Sequence, residues 1–262
     1  MFNANKLGCL PSPHDSRTIR LRQVLADPQP HVPDSQYWDD ANYANPVLAN
    51  DRYGCCVPAA LGHRRIVASL ASAEPDQDVT DNDVLSLYSA VTGFDRKSGR
   101  NDNGTNVLDL LKHVARKQWL ADPQFAFLYI GPTDSDSLRR ALAWFGPALI
   151  CLALPVAWQA TDTWHISGGR RGRPATWGYH CVCATGYDDS YLSCRTWGTS
   201  VLLSWPAMAY YGTEAWLVLD GAWAETSPAP NALDLDELSL LLSRVTPPSA
   251  LNRFLAYDAR DY

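Results

Sequence analysis

From Val57 onward the apolar positions recur at helical spacing. Ala59, His63, Ile66, Val67 and Leu70 share one face of a helix predicted over 57–71, with Pro58 tolerated in its first turn. Thr80 with Asp83 three positions on announces a second helix. Its stripe is Val84, Leu87, Tyr88 and Val91, and Gly93 ends it. Val107, Leu110, Leu111 and Val114 predict a third helix, after a polar loop over 95–106. Leu138, Ala141, Leu142 and Phe145 predict a fourth, stopping at Gly146-Pro147. At Ala148 the pattern changes to short apolar runs rich in β-formers: ALICLAL, YHCVCATGY, YLSCRTWG, SVLLSW and EAWLVLD. These predict an antiparallel sheet. A last amphipathic stretch runs from Leu233 to Val245. Helices first and strands second make an α+β chain with two unlike lobes.

Prolines at 11, 13, 28, 30, 33 and 46, with little periodicity between them, predict an extended arm over 1–47 that wraps the surface. Such an arm could occlude a cleft, although no residue pattern marks a cleavage site. The chain then divides into a mainly helical lobe over 48–147, a β lobe over 148–225, and a helix with an irregular tail over 226–262.

With 262 residues, 46% hydrophobic and 19% charged, the chain can bury one large core or two lobes around a cleft. A formal net charge of -6 argues against a nucleic-acid backbone or an anionic membrane as partner. The one basic cluster, Arg170, Arg171 and Arg173, reads as a solvated loop. The first fifteen residues lack a basic segment followed by an apolar one, and no stretch reaches the roughly eighteen apolar residues of a membrane span. Neither secretion by that route nor membrane anchoring is expected. Seven unevenly placed cysteines point to free thiols in a reduced compartment.

The segment Asn50-Asp51-Arg52-Tyr53-Gly54-Cys55-Cys56 carries the first candidate chemistry. A thiol nucleophile needs a lowered pKa, a base within reach and donors aimed at the developing oxyanion. Cys56 heads a predicted helix, Gly54 permits a tight approach, and the Asn50 amide could turn back toward the thiol's target.

This segment resembles the nucleophile motif of papain-like cysteine peptidases, in which a Gln lies six residues before the catalytic Cys and a Gly two before it. Asn50 matches the oxyanion-hole Gln with a shorter amide, Gly54 the Gly, and Cys56 the nucleophile; Val57 departs from the usual aromatic residue. The run from Tyr179 to Asp188, with Gly186-Tyr187-Asp188 at its end, is similar to the family's strand bearing the catalytic His, which gives His180 the role of base. Arg195-Thr196-Trp197-Gly198 is similar to Asn-Ser-Trp-Gly, where the Asn orients the imidazole and the Trp shields that bond. Trp197 and Gly198 match, but Arg195 replaces the Asn, and a guanidinium cannot accept an imidazole N–H. Thr196 could accept it if the register slipped by one residue, a slip expected to carry it across the sheet. Gly104 matches a glycine on the rim of the substrate cleft, and the run over 138–155 matches the family's helix, Gly-Pro and strand.

The resemblance covers roughly residues 30 to 220, with the three site motifs in the family's order, and is strongest to divergent proteins of bacteriophages and bacteria. It implies a two-lobed papain-like fold and hydrolysis of a peptide, a peptidoglycan crossbridge or another amide by Cys56 and His180, with Gly54, Gly104 and Trp197 lining the cleft. No metal or cofactor is implied. The expected setting is cytoplasmic or virion-associated.

Other readings carry less. Cys181 and Cys183 alternate onto the strand face opposite His180 and could be metal ligands, but no Cys-x-x-Cys or His cluster completes a site, so core packing is expected. His63 and His113 lie on helices, and His14, His31 and His165 in loops, with no metal-binding spacing. No Gly-x-Ser-x-Gly elbow, P-loop or dinucleotide fingerprint is present. Trp158, Trp164 and Trp177 could equally line a cleft or fill a core. The rival to an enzyme is a papain-like scaffold kept as a structural protein, for example one bound to other virion proteins, and Arg195 is the best sequence argument for it.

Overall fold

The structure, a computed structural model, describes residues 6–39, 44–70, 79–117, 119–120 and 124–220. In chain order these form β1 (Gln36–Tyr37), α1 (Cys56–Leu70), α2 (Asp81–Thr92), α3 (Val107–Lys117), β2 (Gln124–Ile130), α4 (Ser135–Trp144), β3 (Ala148–Leu154), β4 (Thr163–Trp164), β5 (Gly178–Tyr187), β6 (Tyr191–Thr196), β7 (Thr199–Ser204), α5 (Trp205–Tyr211) and β8 (Gly212–Asp220). The expected α+β class holds. The expected C-terminal helix over 233–245 lies outside the described residues.

The helix boundaries follow local chemistry. Thr80 caps α2 by accepting from the Asp83 N–H while the Asp83 carboxylate reaches back to the Thr80 N–H, and Gly93 closes the helix in the left-handed region. Asp134 caps α4 in the same manner through the Ser137 N–H. The run SVLLSW, expected as strand throughout, divides at Ser204: its hydroxyl caps α5, which Pro206 enters in its first turn.

The sheet runs β2-β8-β3-β5-β6-β7-β4, with β1 added on β5. Pairing is antiparallel except for β4 beside β7. All seven residues of β3 are buried, because the sheet is covered on both faces there. One core joins α1, α2 and α3 to Leu149, Cys151, Cys181, Trp216 and Val218. The other joins α4 and the arm residues Ile19, Leu21 and Val24 to Ile150, Leu152, Val182 and Leu217. Thus α4, although it falls within 48–147, packs on the sheet, and β2 is a strand of that sheet, with Ala126, Leu128 and Ile130 in this second core and Phe127 and Tyr129 against the first.

Trp158 and Trp164 stack at 4.8 Å inside the second core, while Trp177 packs on Trp197 at 5.3 Å beside the site. The described residues of the N-terminal arm contact the sheet. Arg20 bridges to β2 at Tyr129, and β1 pairs with Gly186 and Tyr187 of β5. Among the described residues no helix is long and apolar enough to cross a membrane.

Candidate active site

Cys56 is the first residue of α1, where unpaired backbone N–H groups and the helix dipole favour a thiolate. The loop before it is held from below. Asp102 accepts from the Gly54 N–H at 2.7 Å and from the Tyr88 hydroxyl at 3.2 Å, and that hydroxyl accepts from the Gly104 N–H at 2.8 Å. Gly54 and Gly104 are thereby fixed side by side. Cys55 turns its thiol away, toward the Leu48 carbonyl at 3.7 Å, which leaves Cys56 facing β5.

His180 is fully buried on β5. Its Nε2 lies 2.6 Å from Thr196 Oγ1, and its ring stacks on Trp197 at 3.9 Å with an interplanar angle of 14°. Its Nδ1 has no hydrogen-bond partner among the described residues. The next backbone group, Cys181 N–H, reaches the Cys56 sulfur.

The orienting contact needs no register slip. Cys183 pairs with Arg195, so position 195 shares a face with Cys181 and Cys183, and position 196 shares one with Val182 and His180. The expectation that Thr196 would have to cross the sheet is therefore corrected. The two-residue turn that follows, Trp197 and Gly198, has φ of +49° and +73°, the backbone of a hairpin turn matched to the strand twist. Gly198 suits that turn, and the indole of Trp197 is carried over His180. Arg195, buried on the other face, forms a two-pronged ion pair with Asp39, with Nε at 2.6 Å from Oδ2, and donates to the Ala44 carbonyl at 3.0 Å. It replaces the family's Asn in sequence but not in space.

The N-terminal arm lies across this site. Gly8 approaches so closely that a Cβ there would fall 2.0 Å from the Gly54 carbonyl oxygen. The Gly8 carbonyl accepts from the Thr105 N–H at 2.9 Å, and the Leu10 N–H donates to the Thr105 carbonyl at 2.9 Å, a parallel bridge centred on Cys9. The Cys9 N–H points at the Tyr179 carbonyl at 3.4 Å. The Lys6 carbonyl accepts from Trp197 Nε1 at 3.3 Å and from Asn50 Nδ2 at 3.5 Å; the same amide donates to the Tyr53 carbonyl at 3.1 Å. The oxyanion-hole candidate thus already holds a carbonyl, from the chain itself. Ser12 anchors the arm further on, where its N–H and hydroxyl both donate to Glu214 at 2.6 Å.

Burial sets the protonation states. It pushes the Cys56 thiol well above its ordinary value, against the backbone hydrogen bonds of Cys181 and Gly8 that favour the thiolate. Burial, with a smaller contribution from His63, lowers His180 to about 3. With the arm seated, both groups are neutral.

Of the residues that sequence reasoning named, the structure brings His180 against Thr196 and Trp197, Asn50 and Trp197 onto the Lys6 carbonyl, and Cys56 beside the Cys181 N–H. That reasoning missed Asp102 and Tyr88, which sit in or behind a loop read only as polar. It also missed Lys6, Gly8 and Cys9, because backbone contacts leave little mark on side-chain patterns. His63, read as structural or solvated, is buried, with Nε2 2.8 Å from the Pro46 carbonyl. Among the described residues no group of three or more His, Cys, Asp or Glu is arranged to hold a metal ion.

No family model matches the chain, and no curated protein matches its sequence. Solved structures do. Xylellain, a cysteine protease from Xylella fastidiosa, aligns over 82% of this chain and 96% of its own with a TM-score of 0.63 at 13% identity. The ragweed pollen cysteine protease Amb a 11, in its proform, aligns over 78% and 70% with a TM-score of 0.54 at 11% identity. Digestive procathepsin L2 from Tenebrio molitor aligns over 83% and 79% with a TM-score of 0.53 at 14% identity. At these identities the likeness is one of fold.

Proposed function

We propose that this chain, which has the papain-like fold, is a thiol hydrolase that cleaves a peptide or other amide bond through Cys56 and His180. The observation that carries the reading is the asymmetric satisfaction of His180: Nε2 is tied to Thr196, and Nδ1 is buried without a partner. A buried imidazole nitrogen left unpaired costs on the order of 1–3 kcal/mol, an arrangement that favours a chemical role for its lone pair.

With Thr196 accepting from Nε2–H, Nδ1 is the basic nitrogen and takes the Cys56 proton. The sulfur attacks the carbonyl carbon, and the oxyanion is held by the Cys56 backbone N–H and the Asn50 amide. The imidazolium returns its proton to the leaving amine. Water, deprotonated by the same nitrogen, then releases the acyl group from sulfur and restores the thiol. These steps require the arm to lift, because in the seated state both partners are neutral and the oxyanion donor is engaged.

The test is hydrolysis of a mixed fluorogenic peptide-amide library by the wild-type chain and by Cys56→Ala. Turnover by the wild type that disappears in the variant supports the reading. If wild-type turnover does not exceed that of Cys56→Ala, including with Gly8→Ala to displace the arm, the chain is a scaffold with a disused site.

A further inference from the structure

We propose that Cys9 and Cys151 form a reversible disulfide that latches the N-terminal arm over Cys56. Its regulatory meaning rests on reading Cys56 as a nucleophile; the linkage itself does not.

The two sulfurs are 3.0 Å apart, across 142 positions of sequence, with Cys9 on the arm and Cys151 in the middle of β3. A disulfide requires closure to about 2.05 Å with Cβ vectors facing one another. Cys9 is clamped on both sides for that approach, by the bridge to Thr105 and by the anchoring of Ser12 on Glu214. The bond would join an edge segment near the nucleophile, held there by hydrogen bonds and by the Lys6–Asp102 ion pair, to a fully buried strand of the sheet. Of the other cysteines, Cys181 lies opposite Cys151 on β5. A link between those two would join strands that are already paired and leave the arm free.

The chemistry is thiol–disulfide exchange with a low-molecular-weight disulfide. The Cys9 thiolate attacks one sulfur of that disulfide, forming a mixed disulfide and expelling one small thiolate. The Cys151 thiolate then attacks the Cys9 sulfur, forming Cys9–Cys151 and expelling the second. The two protein protons end on the two small thiols, and the small disulfide is the species reduced. A cavity of about 540 Å³, bordered by Cys9, Ser12, Tyr179, Glu214 and Trp216, leads from solvent to the arm side of the pair. While the arm is seated, the Cys9 thiol is pushed up by its hydrogen bond to Cys151 and by burial. Exchange therefore proceeds as the arm lifts and the thiols hydrate. A reducing medium reverses it, which is compatible with seven free thiols in the reduced chain.

Reduced full-length protein incubated with oxidised glutathione, then acid-quenched and mapped by peptide mass, reads the linkage directly. The expected product is a Cys9–Cys151 crosslink with Cys56 still a free thiol. Iodoacetamide should then alkylate Cys56 about tenfold or more slowly than in the reduced protein, because the arm's local opening is suppressed. A thiol reductant should restore the rate, and Cys9→Ala should show one rate under both conditions. A Cys9–Cys56 or Cys151–Cys181 link, glutathione left on Cys9, no link at all, or a crosslink that does not slow Cys56 each overturns the latch. None of these readouts needs a substrate. A crosslink in a chain without turnover removes the hydrolase reading alone, and turnover without the crosslink removes the latch alone.

Discussion

Thr196 Oγ1 and His180 Nε2 stand 2.6 Å apart, and that one contact leaves Nδ1 as the imidazole nitrogen without a partner among the described residues. The contact fixes the ring plane, and with Nε2 protonated the Thr196 hydroxyl accepts from it, while Trp197, stacked on the ring at 3.9 Å, keeps water from competing for the bond. A hydroxyl can accept this N–H as a carboxamide oxygen can, so Thr196 can orient the imidazole without an Asn at position 195.

Thr196→Val keeps the volume and removes the acceptor. Turnover should fall by about ten- to a hundredfold with KM little changed, the cost of one mis-set hydrogen bond at the reacting centre. Thr196→Ser should recover most of the loss, which a purely structural role would not predict. Arg195→Asn should recover nothing in the Thr196→Val background, since position 195 faces away from His180. Rescue by Arg195→Asn would show that the register assigned to β6 is wrong.

Gly8 is the narrowest point of the arm over the cleft. A Cβ there would fall 2.0 Å from the Gly54 carbonyl oxygen and 2.7 Å from its Cα, both backbone atoms, so Gly8→Ala should unseat the arm rather than deform the site. Alkylation of Cys56 by iodoacetamide should rise by about tenfold or more, as the opening that exposes the thiol ceases to be rare. Gly168→Ala, where a Cβ meets nothing within 4 Å, is the control and should leave the rate unchanged. Equal rates in the two variants would mean that the arm does not limit access.

The helices α1 to α4 and the strands β3, β5, β6, β7 and β8 were legible because each buries one face or both, and burial writes itself into apolar spacing. β2 escaped, since the seven-residue run QFAFLYI sits between helices and makes its case only by pairing with β8, some ninety residues later. Cys56, His180 and Asn50 stood out as motifs. An arm able to occlude a cleft was expected from the prolines, but its contact residues were not legible, because Lys6, Gly8 and Leu10 act there through backbone carbonyls and N–H groups. Arg195 misled for a related reason. Its partner, Asp39, lies 156 positions away, so the sequence displays a misplaced cation and hides its counter-ion.

That ion pair supports a prediction about stability rather than catalysis. The Arg195 side chain is 2% exposed and that of Asp39 15%, so Arg195→Met would leave a largely desolvated carboxylate without its cation. Removing one partner of such a pair costs about 2–4 kcal/mol, lessened here by the residual exposure of Asp39. The urea midpoint should fall accordingly, and Asp39→Asn should recover part of the loss in the Arg195→Met background by removing the stranded charge. An unchanged midpoint in Arg195→Met would mean that the pair contributes nothing net.

The pH dependence of stability follows from two buried histidines. Burial lowers His180 to about 3, and burial lowers His63 to about 4, both from an ordinary 6.5. Each folded-state value lies below its unfolded value, so the unfolded chain binds the extra proton first. The stabilisation is whole above about pH 6.5 and is lost as pH falls toward the folded values. At pH 5 the loss is on the order of 2 kcal/mol per histidine, from about 1.5 pH units at 1.36 kcal/mol each. The carboxylates whose values are lowered, Asp15, Asp95 and Asp188, begin from 3.8 and act below this window. Thermal unfolding followed from pH 7.5 to 4.5 should therefore show a falling midpoint, with a shallower slope in His63→Gln, which can still donate to the Pro46 carbonyl but takes up no proton. A midpoint flat across that range would show that His180 is hydrated in the resting protein and that the arm does not seal the site.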